Sequence, residues 1–81
     1  MNILSSNKDG MRVDELIKHL QYIKFMYGDI LITCSTYSYD EIIYSPIFNI
    51  RKAKAAAFQD EGNIIYKEDK KDNSCDIIIF E

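Results

Sequence analysis

Apolar positions Val13, Leu16, Ile17, Leu20, Ile23 and Tyr27 recur at spacings of three and four. That period lays them along one face of an amphipathic helix. The spacing predicts a helix over 14–27, with Asp14 as its N-cap and Glu15 at the positive end of its dipole. Gly28 is placed to end it in a left-handed conformation. Lys18, His19, Gln21 and Lys24 fall mostly on the opposite side, toward solvent.

The period then shortens to two. Residues 29–35 (DILITCS) are rich in β-branched side chains and read as a strand, with Ile30, Ile32 and Cys34 on one side and Leu31, Thr33 and Ser35 on the other. Residues 36–40 (TYSYD) read as a hairpin loop and 41–44 (EIIY) as its returning strand. Pro46 interrupts that strand because it has no N–H for a ladder bond. Alternation resumes over 47–51. The alanine-rich stretch 52–60 (KAKAAAFQD) is compatible with a short helix, since alanine is the strongest helix former, or with continued extended chain. A turn at 61–63 precedes a short strand at 64–67, and a charged connector at 68–73 precedes a last strand at 76–80. That last run, DIIIF, is apolar on both faces, which predicts a central strand. The last two runs are expected to pair as a hairpin. Residues 1–10 are either a leader segment before Met11 or a short edge strand around 2–4.

The order is one helix followed by about four strands. This predicts an α+β fold, one amphipathic helix packed on a mostly antiparallel sheet. At 81 residues, the chain fits a single small domain over 1–81. Hydrophobic residues at 47% and charged residues at 28% are the proportions of a folded protein. The net charge of −3 has the wrong sign for a general nucleic-acid binder, so no direct nucleic-acid partner is expected. No apolar run approaches the roughly 18 residues of a membrane span, and the start lacks a signal peptide's apolar stretch. A soluble, cytoplasmic protein is the expectation.

Candidate chemistry is sparse. His19 is the one histidine, and Cys34 and Cys75 are the two cysteines. They form no Cys-x-x-Cys pair, so no metal site and no cofactor are expected. Free, packed thiols are expected over a disulfide or a nucleophile, because neither cysteine has a positive sequence neighbour to stabilise a thiolate. The carboxylates Asp29, Asp40, Glu41, Asp60, Glu61, Asp72 and Asp76 are scattered. They leave open an alternative reading as a small-ligand binder or an enzyme, but no spacing pairs them. Three separated glycines exclude the usual phosphate loops.

The richest cluster is Tyr37, Tyr39 and Tyr44 with Asp40 and Glu41. Tyrosines at a loop tip offer rigid contact area and a hydroxyl, which suits a protein interface. Nucleic-acid stacking would need interleaved Lys or Arg, and 33–46 has none. Tyr37 and Tyr39 are therefore the candidate anchors, with Asp40 and Glu41 meeting basic groups on a protein partner. An open sheet edge makes a homodimer or a homo-oligomeric structural role the remaining option.

The segments MRVDELIKHLQYI, GDILIT, YSPIFNI and DIIIFE together resemble short proteins of phages and other mobile elements. These open on Met-x-Val-x-Glu-Leu-Ile and pass from one helix into a small sheet. The likeness spans about residues 11–80. The resemblance implies a non-enzymatic accessory role, in the manner of anti-CRISPR proteins that bind a host or defence protein and block it.

Overall fold

A computed structural model describes residues 1–35, 44–69 and 74–81. One helix, α1 (Val13–Tyr27), accompanies five strands: β1 (Asn2–Leu4), β2 (Leu31–Cys34), β3 (Asn49–Asp60), β4 (Asn63–Glu68) and β5 (Cys75–Phe80). The fold is α+β, with the helix on a mostly antiparallel sheet and one strand more than expected. The sheet runs β1-β3-β5-β2, and β4 joins the edge of β3 that β1 leaves vacant. Among the described residues, only β2 and β5 pair in parallel.

The helix begins one residue before the expected position. Its N-cap is Arg12, not Asp14, and no side chain caps it. Gly28 ends it by donating its N–H to the Lys24 carbonyl, with a positive φ but a ψ of −155°, outside the left-handed helical well. Ile23 is buried with Ile50 of β3 and Ile78 of β5, and Leu16, Tyr27, Ile3, Ile30, Ile47 and Phe80 pack around them. The apolar stripe is only partly used: Val13 is 73% exposed, and Ile17 is also exposed. One helix over a narrow sheet cannot cover its whole stripe.

The 52–60 stretch is extended. It forms the second half of β3, where Ala55 is fully buried and lies between Cys75 of β5 and Glu68 of β4. Pairing with β5 over 52–55 and with β4 over 55–60 overrides alanine's preference for helix. The last two strands do not form a hairpin with each other. β4 returns on β3 through a two-residue turn, Glu61 (φ 49°) and Gly62 (φ 82°), while β5 crosses to the other edge of β3. Positive φ at both central positions is what a tight hairpin turn requires.

Residues 2–4 form β1, at one edge of the sheet. β1 pairs with 49–51, and Ser5 and Met11 donate their amides to the Phe48 and Ile47 carbonyls at 2.7 Å each. β5 is central, between β3 and β2. The loop and strand expected over 36–43 lie outside the described residues, and Tyr44 is in no strand.

Candidate functional site

Side chains alternate along a strand, so β3 divides its residues between two faces. Ile50 faces the helix, and so does Lys52, whose Nζ stands 5.1 Å from the Tyr27 ring and 3.5 Å from Asp76 Oδ2. Arg51, Ala53 and Ala55 face the other way, with Ile77 and Ile79 of β5. This second face carries a depression of about 580 Å³. Its lining includes Thr33 and Cys34 of β2 as well as Ile64, Tyr66 and Glu68 of β4, strands at opposite margins of the sheet. Both margins can border one hollow only if the sheet curls, as its natural twist favours.

Arg51 closes a polar bridge across this face. Its Nη2 donates to Glu68 Oε1, and its Nε donates to Glu81 Oε1 at 2.6 Å, where Asn49 Nδ2 also donates at 3.1 Å. The bonds to Glu68, then to Glu81, raise the guanidinium's pKa further above its ordinary value. Both carboxylates are thus engaged by Arg51 and are not poised as an acid–base pair. Among the described residues, no group of three or more His, Cys, Asp or Glu could hold a metal ion.

The second half of β3 and β4 leave the body of the sheet together. Past Ala55, β3 has β4 as its neighbour and β5 has ended. Among the described residues, 56–67 thus form a two-stranded arm. Phe58 and Ile65 are paired on one face, and Ile64 and Tyr66 point to the other. All four are exposed, Phe58 at 46% and Ile64 at 63%. A two-stranded ribbon is marginal in water, and apolar residues on both of its faces are unusual unless something covers them. On the outer side of α1, Tyr22, Phe25 and Met26 are also exposed, Phe25 at 86%. They lack the open backbone edge that the arm adds.

The expected anchors Tyr37, Tyr39, Asp40 and Glu41 lie outside the described residues. Tyr44 is 90% exposed, as an interface residue or an ordinary surface tyrosine would be. The cysteines are free but exposed, not packed as expected. Cys34 aligns with Phe80, while Cys75 begins the same strand five residues earlier, so about 16 Å of strand separates them. Cys75 Sγ contacts the Ala55 carbonyl at 3.5 Å.

His19 does not simply face solvent. Its ring is partly buried, with Nε2 3.5 Å from Glu15 Oε2. Glu15 is a polar hub that the sequence does not announce. Ser6 donates to it from its backbone N–H and its hydroxyl, each at 2.7 Å, Ser5 donates its hydroxyl at 3.0 Å, and Asn7 its amide at 3.3 Å. The backbone N–H and hydroxyl of Ser6 are the main causes that lower the Glu15 pKa from 4.5 to about 2. In a capping box the glutamate at the third helical position reaches back to the N-cap. Here it reaches five to seven residues upstream of the N-cap Arg12, to 5–7, at a spacing no motif encodes.

The pH consequence has a definite sign. A carboxylate whose folded pKa is depressed adds stability that is present above its ordinary value and lost as pH falls through the folded one. Between about pH 4.5 and pH 2, wild type should therefore lose more stability than Glu15→Gln. Urea midpoints measured at steps across that window check this, and parallel losses in the two proteins would refute it.

No protein-family model, no curated protein and no solved structure matches the chain. No helix among the described residues is long and apolar enough to cross a membrane.

Proposed function

We propose that this chain is a non-enzymatic accessory protein of the phage or mobile-element kind, which acts in the cytoplasm by stoichiometric binding to a host or defence protein and inhibits or modulates it. The observation that carries the binding reading is the β3–β4 arm, a two-stranded ribbon with large apolar side chains exposed on both faces. Covering Phe58, Ile64 and Tyr66 against a partner would remove apolar area from water at about 25 cal/mol per Å². Aromatic side chains at such positions are common hot spots. The partner chemistry that fits is an apolar groove with basic residues at its rim, since the chain carries −3 overall and the arm's turn contains the sequence Asp60-Glu61. Tyr37 and Tyr39, with Asp40 and Glu41, are the second contact group in this reading.

Capture from host lysate followed by mass spectrometry tests it. One protein should be retained in a fixed ratio by wild type. Phe58→Ser combined with Ile64→Ser should weaken retention at least about tenfold, with global stability changed by less than about 1 kcal/mol. Tyr37→Ala with Tyr39→Ala measures the share of the second group. Equal retention by wild type and both double variants would sink the reading. The hollow beside Arg51 favours a second reading, a small-ligand site, because about 580 Å³ lies within the range of such pockets. A ligand there that needed the guanidinium would have to displace Glu68 or Glu81 from it.

A further inference from the structure

The geometry points to a second copy of this chain as the occupant of the β4 edge, through antiparallel β4–β4 pairing about a two-fold axis at Ile65. This goes beyond the host-binding reading, and it uses the edge of the arm where that reading uses its faces.

Among the described residues, β4 pairs with β3 alone, so its other edge is open. The direction of its backbone groups follows from the ladder. Asp69 donates its N–H to the Lys54 carbonyl, which continues the β3–β4 register by one residue and marks the odd-numbered residues of this strand as the ones bonded inward. The N–H and C=O groups of Ile64 and Tyr66 then point outward, to the open side.

Natural edges are usually guarded by charge, proline or a bulge. β4 has no proline, and its pairing with β3 runs without a break from Asn63 to Glu68. Its two charges are drawn inward: Lys67 Nζ lies 5.4 Å from the Phe58 ring, and Glu68 is bonded to Arg51. The segment 63–66 is left without charge, and 64–66 is apolar or aromatic.

The sequence of this edge is also self-complementary. With the axis at Ile65, Ile64 of each copy lies opposite Tyr66 of the other, as a pair exchanging both backbone bonds. Ile65 meets its own equivalent, and Asn63 meets Lys67. No like charges are opposed, and apolar residues face one another across the centre. A two-fold contact of this kind is the commonest form of self-association. Six residues a side fall short of the roughly 20–30 a side of long-lived complexes, so the pair forms and separates with concentration.

Sedimentation equilibrium from about 10 µM to about 1 mM reads this directly. Wild type should move from 9.5 kDa toward twice that mass. Ile65→Lys and Ile65→Glu each oppose like charges at the axis and should remain at 9.5 kDa, while their equimolar mixture should recover the doubled mass. Amide exchange of wild type needs no variant: Ile64 and Tyr66 should slow at least about tenfold over the same concentration range. A wild type that stays monomeric, with exchange independent of concentration, overturns the proposal. So does a dimer that Ile65→Lys leaves intact. Self-pairing fails alone if wild type is monomeric yet capture of a host protein still depends on Phe58 and Ile64. The host-binding reading fails alone if the dimer forms and no protein is captured.

Discussion

Ile78→Ala is expected to bring the protein to the edge of unfolding at 25 °C. Ile78 is fully inaccessible to solvent, in the middle of the central strand β5, and it closes the core with Ile23 and Ile50. The truncation removes three buried carbons from a site held on both sides by ladder pairing, to Lys52 of β3 and Ile32 of β2. A backbone fixed in that way cannot collapse far into the void, so the cost falls in the range of about 2–5 kcal/mol. A core this small supplies only about 3–5 kcal/mol of net stability. The two figures are comparable, and a large unfolded fraction follows without denaturant. Urea titration followed by far-UV circular dichroism should show the native baseline shortened or lost. Ile17→Ala, on the exposed side of the helix stripe, should stay within about 0.5 kcal/mol of wild type. Equal midpoints for Ile78→Ala and wild type would mean that the core is not where the structure places it.

The same residue shows what can be read from sequence. Three consecutive isoleucines, Ile77 to Ile79, announced a strand buried on both faces, and β5 is that strand. The helix period was equally plain, because one turn brings every third or fourth residue to the same side. The second half of β3 was not legible. Alanine carries too little apolar surface to mark a face, and what makes 52–60 a strand is its pairing with β5 at one end and with β4 at the other, which local sequence does not contain. The choice of hairpin was hidden for a related reason. β4 has a possible partner on each side in sequence, and only the two-residue geometry of Glu61-Gly62 favours β3 over β5. Because 52–60 is compatible with helix or strand and 61–63 reads as a plain turn, local sequence does not assemble the arm, and the richest cluster it displays is the tyrosines of 37–44. Local sequence shows for Glu15 only its place on the helix dipole. Its hydrogen bonds to Ser5, Ser6 and Asn7 depend on where β1 delivers the chain, a tertiary fact.

Gly10→Ala is expected to cost about 2–4 kcal/mol, from two penalties that act together. The first is conformational: Gly10 has φ of +107°, which an L side chain rarely adopts. The second is steric. A Cβ at this position would stand 2.4 Å from Pro46 Cβ and 3.3 Å from the Ile47 carbonyl oxygen. Pro46 cannot swing aside, since its ring fixes its backbone, and the chain on either side of the contact is tied down. Met11 donates to the Ile47 carbonyl, Ser5 donates to the Phe48 carbonyl, and Phe48 leads directly into β3. The alanine must therefore break the Met11 bond or push 46–48 away from the start of β3. Gly62→Ala separates the two penalties, because its φ of +82° is also positive but nothing lies within 4 Å of the added Cβ. It should cost only the conformational part, about 1 kcal/mol. Paired urea titrations give the difference. If Gly10→Ala proved no more costly than Gly62→Ala, the close approach of residues 1–10 to the 46–48 segment would be wrong, and with it the folding of the N-terminus into the body of the sheet.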